Sequence, residues 1–146
     1  MEEIYLAVIE AISEQIPELS LVDEDYGQLE TEEDTYPVTF PCVLVGNLAA
    51  DWNDIGMGSQ KGTVSFITRL AIDCYDDTHI GSGTTEAMRQ RMQLANRVYT
   101  TLQCFCPVDG MGPIIRIKSR DYSLPGGVKV YENMFQFEMD DSSAMM

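Results

Sequence analysis

The alternation of apolar and polar positions along the chain predicts two helices and four or five strands. Residues 2–16 carry apolar side chains at helical spacing, and Pro17 ends this helix because proline cannot occupy a helix interior. A second amphipathic helix is predicted over about residues 85–103, with Thr84 as its N-cap. Its apolar stripe consists of Met88, Met92, Ala95, Val98, Tyr99 and Leu102. We expect this methionine-rich stripe to form an adaptable part of the core.

Strands are predicted where apolar residues alternate or form short runs that are bounded by turn residues. The segment 63–75 gives the clearest pattern, with alternate residues from Val64 to Cys74 on one face. The other predicted strands cover residues 19–22, 38–46, 115–120 and 128–139. A slip in the alternation near residues 131–133 predicts a bulge in the last strand. Together the elements predict one α+β domain over residues 1–146, with a mainly antiparallel sheet of four to five strands and two helices packed on one face.

Three segments are predicted to lie outside the regular elements. Residues 23–35 carry seven carboxylates and little apolar surface, which predicts an exposed acidic loop. Residues 47–62 are rich in glycine, aspartate and asparagine and are expected to form a long loop, and residues 140–146 to form a frayed tail. A long loop in a small domain is often functional, and apolar residues in it are candidates for contact with a partner. Those residues are Trp52, Ile55 and Met57.

Charge is distributed unevenly along the chain. The net charge is −15, and residues 1–60 contain 14 acidic side chains and no Lys or Arg. Residues 61–146 contain 10 acidic and 9 basic side chains. Three cations alternate along one predicted strand and predict a basic strand face: Arg116, Lys118 and Arg120. We hypothesise that this face meets the acidic N-terminal surface of a neighbouring copy, where exposed ion pairs orient assembly more than they stabilise it.

The same charge balance limits the classes of partner. A strongly negative protein is unsuited to tight binding of nucleic acid or of an anionic membrane. No apolar run approaches the roughly 20 residues that a membrane span needs. The acidic start Met-Glu-Glu differs from the basic start of a signal peptide. We therefore expect synthesis in the cytoplasm and no membrane partner.

No pattern typical of an active site occurs in the sequence. The single histidine, His79, lies in a predicted turn beside Asp76 and Asp77, and no second histidine is available for a typical zinc site. Residues 56–62 lack the Gly-Lys-Ser/Thr ending of a phosphate-binding loop. The cysteines match no zinc spacing and are expected to be reduced and buried: Cys42, Cys74, Cys104 and Cys106. We expect no enzymatic activity, metal or cofactor, and a hydrolase or nuclease using Asp76, Asp77 and His79 is the competing hypothesis.

Several short signatures follow the order of the predicted elements. After the first helix and a loop comes Phe-Pro-Cys-Val-Leu-Val-Gly at residues 40–46, and the long strand ends in Asp-Cys-Tyr at residues 73–75. A Gly-Ser-Gly-Thr-Thr-Glu turn at residues 81–86 then leads into the second helix, and a strand pair closes the chain. Over most of residues 1–140, this layout resembles the tail terminator or tail-completion proteins of long-tailed bacteriophages and prophages.

The resemblance implies a small α+β subunit that forms a ring, typically a hexamer, at the head-proximal end of the tail tube. Such proteins stop polymerisation of the tube, present a surface to the head–neck connector and have no catalytic residues. The implied partners are therefore further copies of the chain, the tail tube and the connector, first in the host cytoplasm and then in the virion tail. The acidic segment matches no pattern of the family, and the loop at 47–62 matches only in position. The alternative function is a small acidic adaptor or binding module without catalytic activity.

Overall fold

Two helices and five strands form one layered unit in the computed structural model, which describes residues 1–32, 35–74 and 84–144. The helices are α1 (Glu2–Gln15) and α2 (Thr84–Leu102), and the strands are β1 (Leu21–Glu24), β2 (Cys42–Gly56), β3 (Ser59–Asp73), β4 (Ile115–Leu124) and β5 (Val128–Asp141). The strands lie in one sheet in the order β1-β2-β3-β5-β4. β1 is parallel to β2, and all other neighbouring strands are antiparallel. The predicted α+β class with a mainly antiparallel sheet is confirmed.

One face of the sheet, which we call the helix face, is covered by α1 and α2. From α1 the buried side chains are Ile4, Val8 and Ile12. From α2 they are Val98 and Leu102, near the end of the helix. They belong to the same core as Phe66 of β3 and Phe135 of β5, whose rings stack with centroids 5.4 Å apart. Burial of each such side chain contributes roughly 1.5–3 kcal/mol. The core on this face contains more buried apolar residues than the core on the opposite face, so it supplies most of the apolar stabilisation.

The opposite face, which we call the loop face, is covered by residues from the segments 25–32 and 35–40. Leu29 is 3 % exposed and packs in a second core, together with Leu44 and Val130 of the sheet. Tyr36, Val38 and Phe40 pack around that core. The prediction of an exposed loop over residues 23–35 is therefore wrong in its first part, because Leu21–Glu24 is a strand and Gln28 and Leu29 are buried.

The segment 47–62, predicted as a long loop, is instead a β-hairpin formed by the second half of β2 and the first part of β3. We call residues 47–63 the arm. Its two strands are joined by the two-residue turn Met57-Gly58, and both residues have positive φ, 57° and 82°. Such a turn suits the natural twist of a hairpin. The loop prediction was wrong because the apolar residues of the arm, among them Trp52, Ile55 and Met57, are spaced irregularly among polar ones. Its strands therefore lack the apolar alternation that marks a half-buried strand.

The chain also departs from the predicted pattern at its last strand. β5 continues to Asp141, because Asp140 and Asp141 pair with Lys61 and Gln60 of β3, so the predicted frayed tail begins too early. β5 pairs with β3 in unbroken register from Val128 onward, and the bulge predicted in it lies in β4 instead. The additional β4 residue falls between Arg116 and Lys118.

Two groups with raised pKa values, one partly buried and one buried, predict loss of stability at alkaline pH. Burial and the nearby carboxylates of Glu24 and Asp25 raise the pKa of Tyr5 from 10.0 to about 12, and burial raises the pKa of Cys42 from 9.0 to about 11. Both groups remain neutral in the folded chain at pH values where the unfolded chain ionises them. The stability that these two groups contribute should therefore be fully present well below pH 9 and should be lost as pH rises from about 9 to about 12. Urea denaturation at increasing pH measures this, and Tyr5→Phe, which cannot ionise, should reduce the slope above pH 10.

Candidate functional site

The arm extends the sheet and carries the first three candidate residues. Every residue from Asp51 to Gly58 is exposed. Trp52 pairs with Gly62 of β3, and its ring lies over that glycine so closely that a Cβ there would be 2.5 Å from it. Trp52 therefore packs against the arm itself and is still 37 % exposed, and Ile55 and Met57 are 56 % and 80 % exposed. The structure places the three residues together on the arm, although on a hairpin and not on a loop.

The outer edge of β2 has a neighbouring strand along only part of its length. β1 pairs with Cys42 to Val45, and the amide of Asp25 donates to the Val45 carbonyl at 2.8 Å. The chain then turns away, tight against Gly46, where a Cβ would lie 2.7 Å from the Cβ of Asp25. From Ala49 to Asp54, no strand pairs with the outer edge of β2 within the described parts of the chain. This free edge can accept another strand by main-chain hydrogen bonding.

The opposite edge of the sheet, formed by β4, carries the predicted cations in a different arrangement. Arg116 pairs with Phe135 and lies on the helix face, with its guanidinium 3.7 Å from the centroid of the Tyr99 ring. After the bulge, Lys118 and Arg120 point to the loop face, where Arg120 forms an ion pair with Glu132 at 2.6 Å. The prediction of one basic strand face is therefore wrong, because the additional residue reverses the alternation between Arg116 and Lys118.

Two of the three β4 cations form no ion pair among the described residues. Carboxylates pair with Lys61, Arg69, Arg89, Arg97, Arg120 and Lys129. Within residues 1–32, 35–74 and 84–144, no carboxylate forms an ion pair with Arg116 or Lys118, and both are exposed. The edge strand β4 therefore presents two cations whose charge is available to a partner.

The first half of α2 does not contribute to the core as predicted. No side chain from Thr85 to Arg97 is fully buried, and Met88 and Met92 are 48 % and 57 % exposed. The stripe is buried only where Val98 and Leu102 reach the sheet. The prediction that Met88 and Met92 belong to the core is therefore wrong for the isolated chain, because this half of α2 lies beyond the apolar part of the helix face. These exposed methionines form an apolar surface.

A buried ionic cluster on the loop face was missed by sequence reasoning. The guanidinium of Arg69 donates to Asp25 through Nε at 2.7 Å and through Nη2 at 2.9 Å. It also donates to both carboxylate oxygens of Glu30, and Nη1 donates to the Tyr122 hydroxyl at 3.3 Å. Burial alone would lower the pKa of Arg69, but the hydrogen bonds to Glu30, Asp25 and Tyr122 outweigh it and raise the pKa above its ordinary value. The acidic segment and a single arginine in an apolar strand were the available signals.

This cluster forms the wall of an open depression of about 770 Å³ that Tyr26, Asn47, Arg120 and Glu132 also line. The charged groups that line the depression pair with one another. Arg69 binds Asp25 and Glu30, and Arg120 binds Glu132. The cluster therefore holds the acidic segment against the sheet.

The remaining candidates for chemistry form no site among the described residues. Asp76, Asp77 and His79 lie outside the described residues. Cys42 is buried as predicted, Cys74 is half-buried, and Cys104 and Cys106 are exposed, so burial of all four thiols was wrongly predicted. Among the described residues, no group of three or more His, Cys, Asp or Glu side chains is placed to hold a metal ion. None of the described helices combines the length and apolar character that a membrane span requires.

These features define an α+β protein with a five-stranded mixed sheet, one helical layer and two exposed sheet edges. A scan against protein-family models gives no match, and no curated protein matches the chain. Among solved structures, the fold is similar to that of a chain in the virion of a native gene transfer agent (GTA) particle. The similarity covers 92 % of this chain and 92 % of that chain, with a TM-score of 0.59 and 11 % sequence identity. At this identity the similarity concerns the fold.

Proposed function

We propose that this chain is a structural protein of a phage-like virion and acts as a tail terminator. In this role, copies of the chain form a ring that caps the tail tube and joins it to the head–neck connector. The observation that carries the proposal is the fold similarity to a chain of a gene transfer agent virion over 92 % of both chains. The order of elements that resembles tail terminator proteins supports the same role.

The surfaces of the chain support assembly as the mode of action. A ring repeats one contact between two different patches of the subunit. The free edge of β2 and the edge strand β4 are two such patches, and exposed apolar residues lie beside them on the arm and on α2. The proposed role requires no catalytic residue, metal or cofactor. A net charge of −15 also suits a ring through which DNA passes, because like charge keeps DNA from adhering to it.

We expect the purified chain to form a closed ring in a concentration-dependent way. Native mass spectrometry gives the number of copies, and negative-stain electron microscopy shows the ring. Trp52 is the only tryptophan, so its fluorescence reports on the arm alone. We expect its emission to shift to shorter wavelength on assembly, because the contact removes water from a ring that is 37 % exposed in the single chain.

The virion provides the second readout. If the chain terminates tails, particles that assemble without it should carry tubes of uncontrolled length, because nothing stops polymerisation. Addition of the purified chain during assembly should restore a uniform length. A chain that remains monomeric, together with tails of normal length in its absence, would contradict the proposal and favour an adaptor.

A further inference from the structure

We propose that β4 of one copy pairs with the free edge of β2 of the next copy, so that the sheet continues from subunit to subunit around the ring. The partner is a second copy of this chain. This inference rests on the proposed ring and specifies the contact that builds it. Four features of the described residues support it: strand direction, available edge, charge and the helical layer.

Strand direction permits the pairing. β2 is antiparallel to β3, β3 to β5 and β5 to β4, so β2 and β4 run in opposite directions. Rotation about a ring axis leaves the axial direction of each strand unchanged. When such a rotation brings β4 beside the next β2, the two strands are therefore antiparallel, and the helix faces of both copies point to the same side. One heterologous contact repeated in this way can close into a ring.

The position of the free edge on β2 fixes the direction in which the β4 strand of a neighbour is displaced along β2. Ile115 lies level with Ala49, because Ile115 pairs with Gln136, Gln136 with Ser65 and Ser65 with Ala49. β1 already occupies the edge of β2 at Cys42 to Val45. The β4 strand of a neighbour must therefore shift toward the arm to find free hydrogen-bonding groups. Closed sheets require such a stagger, since their strands tilt relative to the axis.

Charge is complementary on both sides of the contact. Lys118 and Asp51 lie on the loop face of their strands, and Arg116 and Asp54 lie on the helix face. Both cations lack an ion-paired carboxylate among the described residues, and no cation there pairs with Asp51 or Asp54. Each face of the joined sheet would thus bring one cation and one carboxylate, neither of them in an ion pair within its own copy, close to each other. Trp52, also on the helix face, adds an aromatic surface for Arg116.

The helical layer supplies apolar surface beside the same two edges. On the β4 side, Met92 lines a depression together with Arg116 and Ser119. On the β2 side, Leu6 of α1 and Leu48 line another, and they are 52 % and 43 % exposed. A ring contact along the edges would bring these apolar surfaces toward one another. Exposed apolar groups near a polar strand contact are the arrangement from which a stable interface is built.

Charge reversal tests the contact with two complementary variants. Lys118→Glu and Asp51→Lys each reverse one member of the proposed Lys118–Asp51 pair and leave Arg116 and Asp54 unchanged. In each variant alone, two like charges then meet at this position, so copies should repel one another. We expect each to require at least about tenfold higher concentration for half-assembly, measured by native mass spectrometry at low salt. Mixed one to one, the variants should form alternating rings, because each reversed edge then meets its complement. Glu14→Lys, an exposed charge change on α1, is the control and should assemble as the wild type does.

The outcomes separate this contact from the ring itself. If wild type forms rings and both variants assemble equally well, the two edges are not the contact, although the proposed function survives. If the variants fail alone and also fail when mixed, with circular dichroism showing that each is folded, head-to-tail pairing of these edges is wrong. If wild type remains monomeric at every soluble concentration, both the ring and this contact are overturned.

Discussion

Replacement of Arg69 by methionine should lower the free energy of unfolding by about 3–5 kcal/mol, because it leaves a buried carboxylate without its counterion. The side chains of Arg69 and Asp25 are only 8 % and 7 % exposed. Methionine fills most of the volume of the arginine stem, so the loss reports mainly on charge and hydrogen bonding. For a domain of this size, each 1 kcal/mol corresponds to roughly 2–4 °C in Tm. Urea denaturation and thermal unfolding of the single chain measure the effect.

Two further variants show whether burial of charge is the cause. Glu30→Gln should cost no more than about 1 kcal/mol, because the Glu30 side chain is 58 % exposed and water can replace much of its interaction. Arg69→Met combined with Asp25→Leu should recover part of the loss, since no unpaired charge then remains on the loop face. A loss below 1 kcal/mol in Arg69→Met alone would show that Asp25 reaches water, and that the cluster does not hold the acidic segment.

The Arg69 cluster illustrates what local sequence patterns cannot show. Arg69 lies 44 positions after Asp25 in the chain, so no local periodicity connects them. The carboxylates of residues 23–35 indicated an exposed loop because acidic side chains are usually solvated. A single arginine on β3, two strands away from β1, is enough to reverse that outcome for Asp25, whereas Glu30 remains largely in water.

Elements with strong local signals were predicted well. The first helix was expected over residues 2–16 and spans Glu2–Gln15, and the second was expected over about residues 85–103 and spans Thr84–Leu102. Both carry an apolar stripe at helical spacing. The arm has no such signal, because neither of its faces is covered in the single chain. Its strands are held by main-chain pairing, which leaves little trace in the side-chain pattern.

The candidate contact residues were partly accessible to sequence reasoning. The exposure of Trp52, Ile55 and Met57 on one projecting segment follows from apolar residues placed among polar ones. The distribution of the β4 cations did not follow, because a single-residue bulge exchanges the faces of a strand without changing its composition. The role of these residues in assembly stays a prediction.

Replacement of Trp52 by alanine should weaken ring assembly far more than it weakens the single chain. Tryptophan is the residue type most often found at the energetic centre of an interface, where its removal typically costs 2 kcal/mol or more per contact. That cost corresponds to about a 30-fold higher concentration for half-assembly. Within the single chain, Trp52 lies over Gly62 and is already 37 % exposed, so the free energy of unfolding should fall by less than about 2 kcal/mol.

Met57→Ala is the matched comparison, because Met57 lies at the tip of the same arm and is 80 % exposed. If the strand edge makes the contact, Met57→Ala should change the assembly concentration much less than Trp52→Ala does. Similar losses in both variants would locate the contact at the tip. Because the Trp52 variant lacks tryptophan, native mass spectrometry measures assembly and far-ultraviolet circular dichroism measures folding. Rings of Trp52→Ala that persist at the same low concentration as wild-type rings would exclude Trp52 as an anchor, since its contact surface would then contribute nothing to assembly.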